Sequence, residues 1–530
     1  MHCAPLMKGF VWRKVSKNRK NGTAMLPEVM RAGRADLYSI FRTRAQDCAE
    51  ALAVEDGSKR VTYAELLERV DRLAAVFLAR GVAPGDRIAI LSHNRSEYLE
   101  VELAAAGIGA IVACLNWRLA EDELRHCIEL VEPVLAVVEP GLKEVYQAVS
   151  ATLCLEIGPE WEAALAAAAP DPRTGTMVDD PETGLTILYT SGTTGLPKGA
   201  LISHRAHIAR SMAFAAQLAL EPCDGFIAWA PMFHMASTDH ALATLLRGGT
   251  VVMVDGLQPA ILNEALSRHR IGWFVMMPGA LDAFIAERRA NPLPLKGIKV
   301  CGAMADLVPP HQIAELTGLL NTPYLNSFGA TETGLPPGTA DLIAPGVTPD
   351  RLSKRISAFC EVRLVDPEDR EVPVGTPGEM SVRGPTLFSG YWNAGDTNAQ
   401  DFRNGFFHMG DLFRRNADGS VDFVDRAKYL IKTGGENVYP AEIERVLLMH
   451  PGVIDAAVVR AFDEKWGESP VAFVAGGHDG PDSDELRSLC RQMLASYKCP
   501  REFRFIAFED FPRSTSGKVQ RHVLEDRLVE

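Results

Sequence analysis

From about Leu37 to Val138 the chain alternates between two rhythms. TYAELLERVDRLAAVFLARG repeats apolar residues at helical spacing, and DRIAILS beyond it is a short β-branched run. Helices alternating with buried strands are therefore predicted, an α/β texture. ALAAAAPDPRTG, an alanine run passing into Pro and Gly, predicts a connector; TGLTILYT after it predicts a buried strand that leads directly into a Gly-rich loop. GTVVMVD, GWFVMMP, GIKVCGA and CEVRLVD predict further strands. After Asp425 the texture changes: PAEIERVLLMH puts Ile443, Val446 and Leu447 on one helical face, strands IDAAVVRAF and PVAFVAGG follow, and a helix runs through DSDELRSLCRQMLASY. The expectation is a large multilayered α/β body over residues 25–424 and a small α+β domain over residues 425–530.

Composition narrows the function more than the fold. A chain of 530 residues exceeds the size at which one core stops growing, which agrees with two domains. A net charge of -13 supplies no positive field to gather a nucleic acid and points to small-molecule partners. The ten cysteines are scattered, with no CxxC pair and no Cys/His cluster at ligand spacing, so neither a zinc site nor a disulfide framework is expected and a reducing cytoplasm fits. No apolar run approaches the roughly 20 residues that cross a bilayer, and no membrane insertion is expected. Residues 1–24 carry Lys8, Arg13, Lys14, Lys17, Arg19 and Lys20 without one acidic side chain. Two readings stay open there: an artefact of start-site choice, since Met25 opens a segment of ordinary character, or a transit peptide. Neither makes the segment part of the fold.

The sharpest chemical signal is YTSGTTGLPKG, Tyr189 to Gly199. Gly192, Gly195 and Gly199 let backbone N–H groups converge on an anion; the hydroxyls of Thr190, Ser191, Thr193 and Thr194 add donors and Lys198 adds charge. This is a phosphate cradle. It is not a Walker loop, because Pro197 precedes Lys198 and Gly199 follows it where Ser or Thr is required.

The string resembles the signature of the adenylate-forming superfamily, which includes acyl-CoA synthetases, luciferases and peptide-synthetase adenylation domains. PMFHM, NSFGATETG, GEMSVRGPTLFSGYWN, GFFHMGDL, VDRAKYLIKTGGENVYPAEIE and PRSTSGKVQR follow in that family's order, across nearly everything after Leu37. The resemblance implies an ATP-dependent acid–CoA ligase, an acid–thiol ligase with ATP, Mg2+ and coenzyme A as cofactors and substrates. Glu332, beside the hydroxyls of Thr331 and Thr333, is a carboxylate suited to a hard magnesium ion on ATP phosphates. Asn326, Ser327 and Phe328 line the nucleotide, Asp411 accepts from the ribose hydroxyls, and Arg426 is a permanent planar cation on the ribose and phosphate side. Lys518 reaches the reacting carboxylate and α-phosphate, with Lys432 as a second lysine near the nucleotide. Gly434 and Gly435 form a loop for close approach of the CoA thiol, a plain turn being the alternative. Lys428 is the hinge about which a mobile small domain turns between two half-reactions. Tyr429 departs from the family, where many relatives carry an acidic residue.

By the same resemblance His234, Met235, Thr238, Met277, Gly279, Gly302, Ala303, Met304 and Gly329 line the acyl pocket. Core packing is the competing reading of the methionines, and a structural role that of His234. Acetate-using relatives place a tryptophan at the position of Gly329; with glycine there, and Gly302 and Ala303 beside it, the pocket is expected to be deep and the acid bulky and apolar: aromatic, alicyclic or medium-chain. Asp239 and His240 lie just beyond. Loading of a separate carrier protein is the nearest rival, since the chain ends at Glu530 with no fused carrier; a luciferase-like monooxygenase and a silent nucleotide-binding protein are weaker ones. The assembly is left open, a homodimer being one option.

Overall fold

The computed structural model describes residues 34–178, 180–191, 196–433, 436–476, 480–513 and 519–528. The chain divides between Arg34 and Ala35, and the architecture below is that of the unit Ala35–Glu530. The basic segment 1–24 lies outside the described residues.

Two mainly parallel sheets make the body. The first runs in the order Cys154–Glu156, Leu135–Val138, Arg87–Leu91, Ile111–Cys114, Gly184–Ser191 and Pro197–Ser203; only the last pair is antiparallel. The second has eight strands, ordered Leu342–Ile343, Tyr324–Asn326, Ile298–Ala303, Ile271–Val275, Gly225–Ala228, Val251–Met253, Leu52–Asp56 and Lys59–Thr62, antiparallel at its two edges. Buried parallel strands read as continuous apolar runs, and ILYT, VVM and IGWFV are such runs. Helix Ser96–Ile108 touches strands of both sheets and every residue of it is buried, which is why it lacks an amphipathic stripe. Its Glu100 is held by Arg69 at 2.7 Å.

A five-stranded antiparallel sheet follows, Glu361–Val365, Pro377–Arg383, Phe406–Arg415 and Phe402–Arg403, with Val421–Arg426 paired to Phe406–Arg415. The last sheet joins Glu436–Val438, Ile431–Thr433, Gly467–Gly476 and Val453–Asp463, with Glu502–Phe505 parallel to Gly467–Gly476. Helix Pro440–Leu447 buries Ile443, Val446 and Leu447, the face its periodicity predicts. Sheet membership changes between Arg426 and Ile431, across the turn Ala427–Tyr429 that carries Lys428.

The architecture is the expected α/β body with a C-terminal α+β part, with two local differences. Helix Pro159–Ala167 runs into the alanine stretch read as a connector, because Ala is the best helix former and Pro159 opens the first turn. The strand Gly334–Gly338 was not foreseen, because Pro336 and Pro337 speak against a strand; it pairs with a single partner, Phe328–Ala330, in a two-stranded sheet. Among the described residues no helix is long and apolar enough to cross a membrane.

Candidate active site

The paired strands Gly184–Ser191 and Pro197–Ser203 set Thr190 directly opposite Lys198, so the lysine of the Gly-rich motif lies on the returning strand. Gly192, Thr193, Thr194 and Gly195 lie outside the described residues, as does the side chain of Ser191. The returning strand has a second partner. Leu201 N–H donates to Gly390 O at 3.0 Å, Ser389 N–H to Leu201 O at 2.8 Å and Trp392 N–H to Gly199 O at 2.7 Å. The FSGYWN segment is thereby laced to the strand that carries Lys198.

This lacing brings Tyr391 between two expected site residues. Its hydroxyl donates to Glu332 Oε1 at 2.7 Å, and the Lys198 ammonium stands 4.9 Å from its ring centroid. The Glu332 main chain is held too, its carbonyl accepting from Phe388 N–H at 2.8 Å. Thr331 O accepts from Arg210 Nη2 at 3.0 Å, while Arg210 Nε donates to Thr386 O at 2.9 Å. Neither Tyr391 nor Arg210 was among the expected site residues. Tyr391 sat inside a quoted motif without a role, and Arg210 showed only as one cation in a mainly apolar helix, His204–Leu218.

Asp411 and Arg426 face each other across the paired strands Phe406–Arg415 and Val421–Arg426, with Arg426 Nε 3.2 Å from Asp411 Oδ1. The Asp411 carboxylate first, and Tyr429 and Glu332 more weakly, raise the Arg426 pKa against the lowering by burial. Glu332, Asp411, Arg426, Lys198 and Tyr391 thus form one electrostatic neighbourhood. Asp425, beside it, accepts from Ala441 N–H at 2.8 Å; burial pushes its carboxyl up to about 6. Lys428 is exposed on its turn, 4.9 Å from the Tyr429 ring centroid, and the Arg521 guanidinium lies 4.6 Å from the same centroid. Tyr429 therefore sits between two cations.

Several side chains are committed elsewhere. Asn326 accepts from Ala305 N–H at 2.9 Å and donates to Leu352 O at 2.8 Å, so its amide braces the strand end. Ser327 is buried, and its N–H donates to Ala303 O at 3.2 Å. The Phe328 ring packs on Phe413 at 4.6 Å within an apolar cluster, so any nucleotide contact at this residue has to come from its backbone. Lys432 is exposed on Ile431–Thr433, its N–H donating to Glu468 Oε2 at 2.7 Å. Lys518, Gly434 and Gly435 lie outside the described residues.

At the expected acyl-pocket residues the structure shows the following local packing. A Cβ on Gly329 would stand 2.0 Å from Gly334 O and 2.7 Å from Leu335 Cα, so this glycine lets the Gly334–Gly338 strand close on it. Gly302 has φ +154 and a Cβ there would meet Leu325 O at 2.3 Å; close strand packing, not pocket width, requires it. Thr238 is fully buried, its hydroxyl bonded to Met232 O and to Glu102 Oε1. His234 caps helix Met235–Arg247, its Nδ1 accepting from Ala236 N–H at 3.1 Å, the structural reading of this residue. Met235 is buried in the main core, whereas Met277, Ala303 and Met304 are half-buried and Gly279 is exposed.

Asp239 and His240 belong to a buried polar knot. Arg210 Nη1 lies 2.9 Å from Asp239 Oδ2, and His207 Nδ1 3.3 Å from Asp239 Oδ1. Burial alone would raise the Asp239 pKa, but Arg210 and then His207 hold it below the ordinary carboxylate range. Burial lowers His240 to about 4, leaving it neutral at pH 7, with its ring 4.8 Å from Phe214 and 6.0 Å from Trp273. A small cavity with room for about one water lies among Arg210, Phe214, Asp239, His240, Leu335 and Pro336.

A single carboxylate fits the magnesium expectation, since Mg2+ is bound through one or two carboxylates plus substrate phosphates and not by an all-protein cage. Known proteins carry the same chemistry. The AMP-binding enzyme family matches residues 41–392, and the AMP-binding enzyme C-terminal domain matches residues 442–518. A feruloyl-CoA synthase of Amycolatopsis sp. is 34% identical over 494 residues, 92% of this chain and 97% of its own. The fatty acid–[acyl-carrier-protein] ligase ScoC of Streptomyces coeruleorubidus is 32% identical, over 89% of this chain and 92% of its own. The o-succinylbenzoate CoA synthetase of Bacillus subtilis, solved with its acyl-adenylate intermediate, superposes with a TM-score of 0.81 at 27% identity, over 93% of this chain and 98% of that one. The chain belongs to the AMP-binding enzyme family and, within it, to the acid–CoA ligases of the adenylate-forming superfamily.

Proposed function

We propose that this ATP-dependent acid–CoA ligase takes a bulky apolar carboxylic acid, aromatic in the first place, through acyl-AMP to the CoA thioester. The observation that carries the nucleotide half is the convergence of Lys198, Glu332, Asp411 and Arg426 around Tyr391. In this reading Lys198 and the Gly-rich loop hold the phosphates, and Glu332 holds the magnesium ion that neutralises phosphate charge. Asp411 takes the ribose hydroxyls, with Arg426 beside it. The acid carboxylate attacks the α-phosphorus, pyrophosphate leaves, and Lys518 stabilises the charge that builds on that phosphate. The CoA thiol then attacks the acyl carbonyl and AMP departs, with Gly434 and Gly435 as the thiol passage after the small domain has turned about Lys428. We place the enzyme in the cytoplasm.

Aromatic acids lead because the feruloyl-CoA synthase and the o-succinylbenzoate CoA synthetase act on such acids by name. A panel of acetate, octanoate, palmitate, benzoate, phenylacetate and cinnamate, assayed for CoA consumption, tests it. The expected result is the highest kcat/KM on an aromatic acid, and a maximum on acetate overturns the reading. The ScoC likeness favours a second acceptor, a carrier-protein thiol. Mass analysis of products formed with CoA and with a carrier protein separates the two.

Asp411→Ala is expected to raise the ATP concentration needed for half-maximal rate by at least about 100-fold. It removes two hydrogen bonds to a charged acceptor, each worth about 1.5 to 3 kcal/mol, and leaves Arg426 without its carboxylate partner. Steady-state rates at varied ATP check it, and an unchanged ATP dependence means that the ribose is held elsewhere.

A further inference from the structure

The segment Gly390–Trp392 was quoted for resemblance alone, yet it lies where the phosphate-binding strand and the Glu332 loop meet. Tyr391 is 8% exposed. Its backbone is clamped on both sides by one side chain, Asn398, which accepts from Tyr391 N–H at 2.7 Å and donates to Tyr391 O at 2.8 Å. Gly390, at φ +100, makes that clamp possible, because a Cβ there would stand 3.1 Å from Asn398 Oδ1. The Phe388 ring meets the Tyr391 ring edge-on, at 4.9 Å and 71°. The ring is therefore fixed by its backbone, by an aromatic neighbour and by the strand pairing of residues 389–392 with residues 199–201. From this seat its hydroxyl engages one oxygen of Glu332, Oε1, and its face attracts the Lys198 ammonium.

We propose that Tyr391 is a positioning residue for adenylation. It holds the cation-binding carboxylate of Glu332 through its hydroxyl and the phosphate-binding Lys198 over its ring, so that the two keep one geometry before ATP arrives. The hydroxyl bond turns the carboxylate, as groups behind a metal ligand do in general. The ring holds the ammonium without neutralising it, which a carboxylate in the same place would do. The proposal rests on the reading of Glu332 as the magnesium-binding carboxylate.

The test is calorimetric binding of ATP to the full chain at varied Mg2+, with Tyr391→Phe, Tyr391→Leu and Glu332→Gln beside the parent. Tyr391→Phe keeps the ring and loses the hydroxyl. The Mg2+ concentration that half-saturates the gain in ATP affinity should rise roughly 10-fold or more, while ATP affinity without Mg2+ stays at the parent value. Tyr391→Leu should show the same rise and also weaken ATP without Mg2+, because Lys198 loses its platform. Both variants should still convert supplied acyl-adenylate to acyl-CoA at the parent rate. A parent-like Mg2+ dependence in Tyr391→Phe, with Glu332→Gln shifted, overturns the role of Tyr391 alone. No shift in Glu332→Gln overturns the reading of Glu332 and that of Tyr391 with it. Equal loss of both half-reactions together with a lowered thermal midpoint in Tyr391→Phe marks a merely structural tyrosine and also overturns the proposal.

Discussion

Lys518→Ala is expected to lower acid-dependent ATP–pyrophosphate exchange by about 100- to 1,000-fold, the usual cost of removing one donor from a site of developing charge. As the carboxylate attacks the α-phosphate, negative charge builds on the phosphoryl oxygens. An ammonium held there stabilises that charge more than it stabilises bound ATP, so the loss should fall on the rate of adenylation and not on ATP affinity. If the small domain turns between half-reactions, Lys518 leaves the site before the thiol arrives, and the variant should convert supplied acyl-adenylate to acyl-CoA at the parent rate. Gly435→Leu should do the opposite: exchange retained, thioester formation lost, because a branched side chain blocks a passage that only backbone leaves open. Single-turnover measurement of each half-reaction in both variants checks the pair. Equal loss of both half-reactions in both variants overturns the alternating account.

Arg210→Leu should carry a large stability loss although it touches no substrate. Arg210 and Asp239 are 4% and 5% exposed, and removing one partner of a buried pair leaves the other charge uncompensated, at about 3 to 5 kcal/mol. The variant also abandons Thr331 O and Thr386 O, so the loop carrying Glu332 loses its brace and adenylation should fall with stability. The pH dependence has a definite sign. In the parent, the lowered Asp239 pKa contributes stability that is present above the ordinary carboxylate pKa and is lost as pH falls toward the folded value. In the variant burial is no longer offset by Arg210, the Asp239 pKa rises, and charging it costs stability as pH rises. The deficit relative to the parent should therefore be greatest at neutral pH and shrink on acidification. Denaturant unfolding at pH 7.5 and pH 5 checks this. Adding Asp239→Leu should restore part of the loss, since an apolar pair of similar volume needs no partner. A loss below about 1 kcal/mol, the same at both pH values, means that the pair is not energetically coupled as described.

The substrate pocket marks the limit of reading by position. Gly329 and Gly302 stand where a pocket could open, and a glycine in a string looks like space. In three dimensions each is filled by backbone, the Gly334–Gly338 strand in one case and Leu325 in the other. Glycine answers two opposite needs, room for a ligand and room for a neighbouring strand, and the string is the same for both. A small cavity is walled by Phe214, His240, Leu335 and Pro336, residues from two helices and a two-stranded sheet.

Other features were readable from the string because their causes are local. The apolar face of Pro440–Leu447, the buried run of residues 184–188 and the small C-terminal α+β part follow from periodicity over a few residues. The residue types of the proposed nucleotide site were readable because the chemistry proposed for them tolerates few substitutes: glycines and a lysine for phosphates, one carboxylate for a hard cation, another with an arginine for a ribose. The sequence by itself therefore determined the layers and the reaction class. Only the tertiary structure decided which side chains are at liberty to act. Asn326 and Thr238 are consumed by backbone partners, while Tyr391 and Arg210, distant in sequence from Glu332, hold its loop. The physical reason is that a side chain's hydrogen-bonding capacity is finite and is allotted by its neighbours in space, and sheet pairing such as that of Gly390 with Leu201 chooses those neighbours across 189 residues of chain.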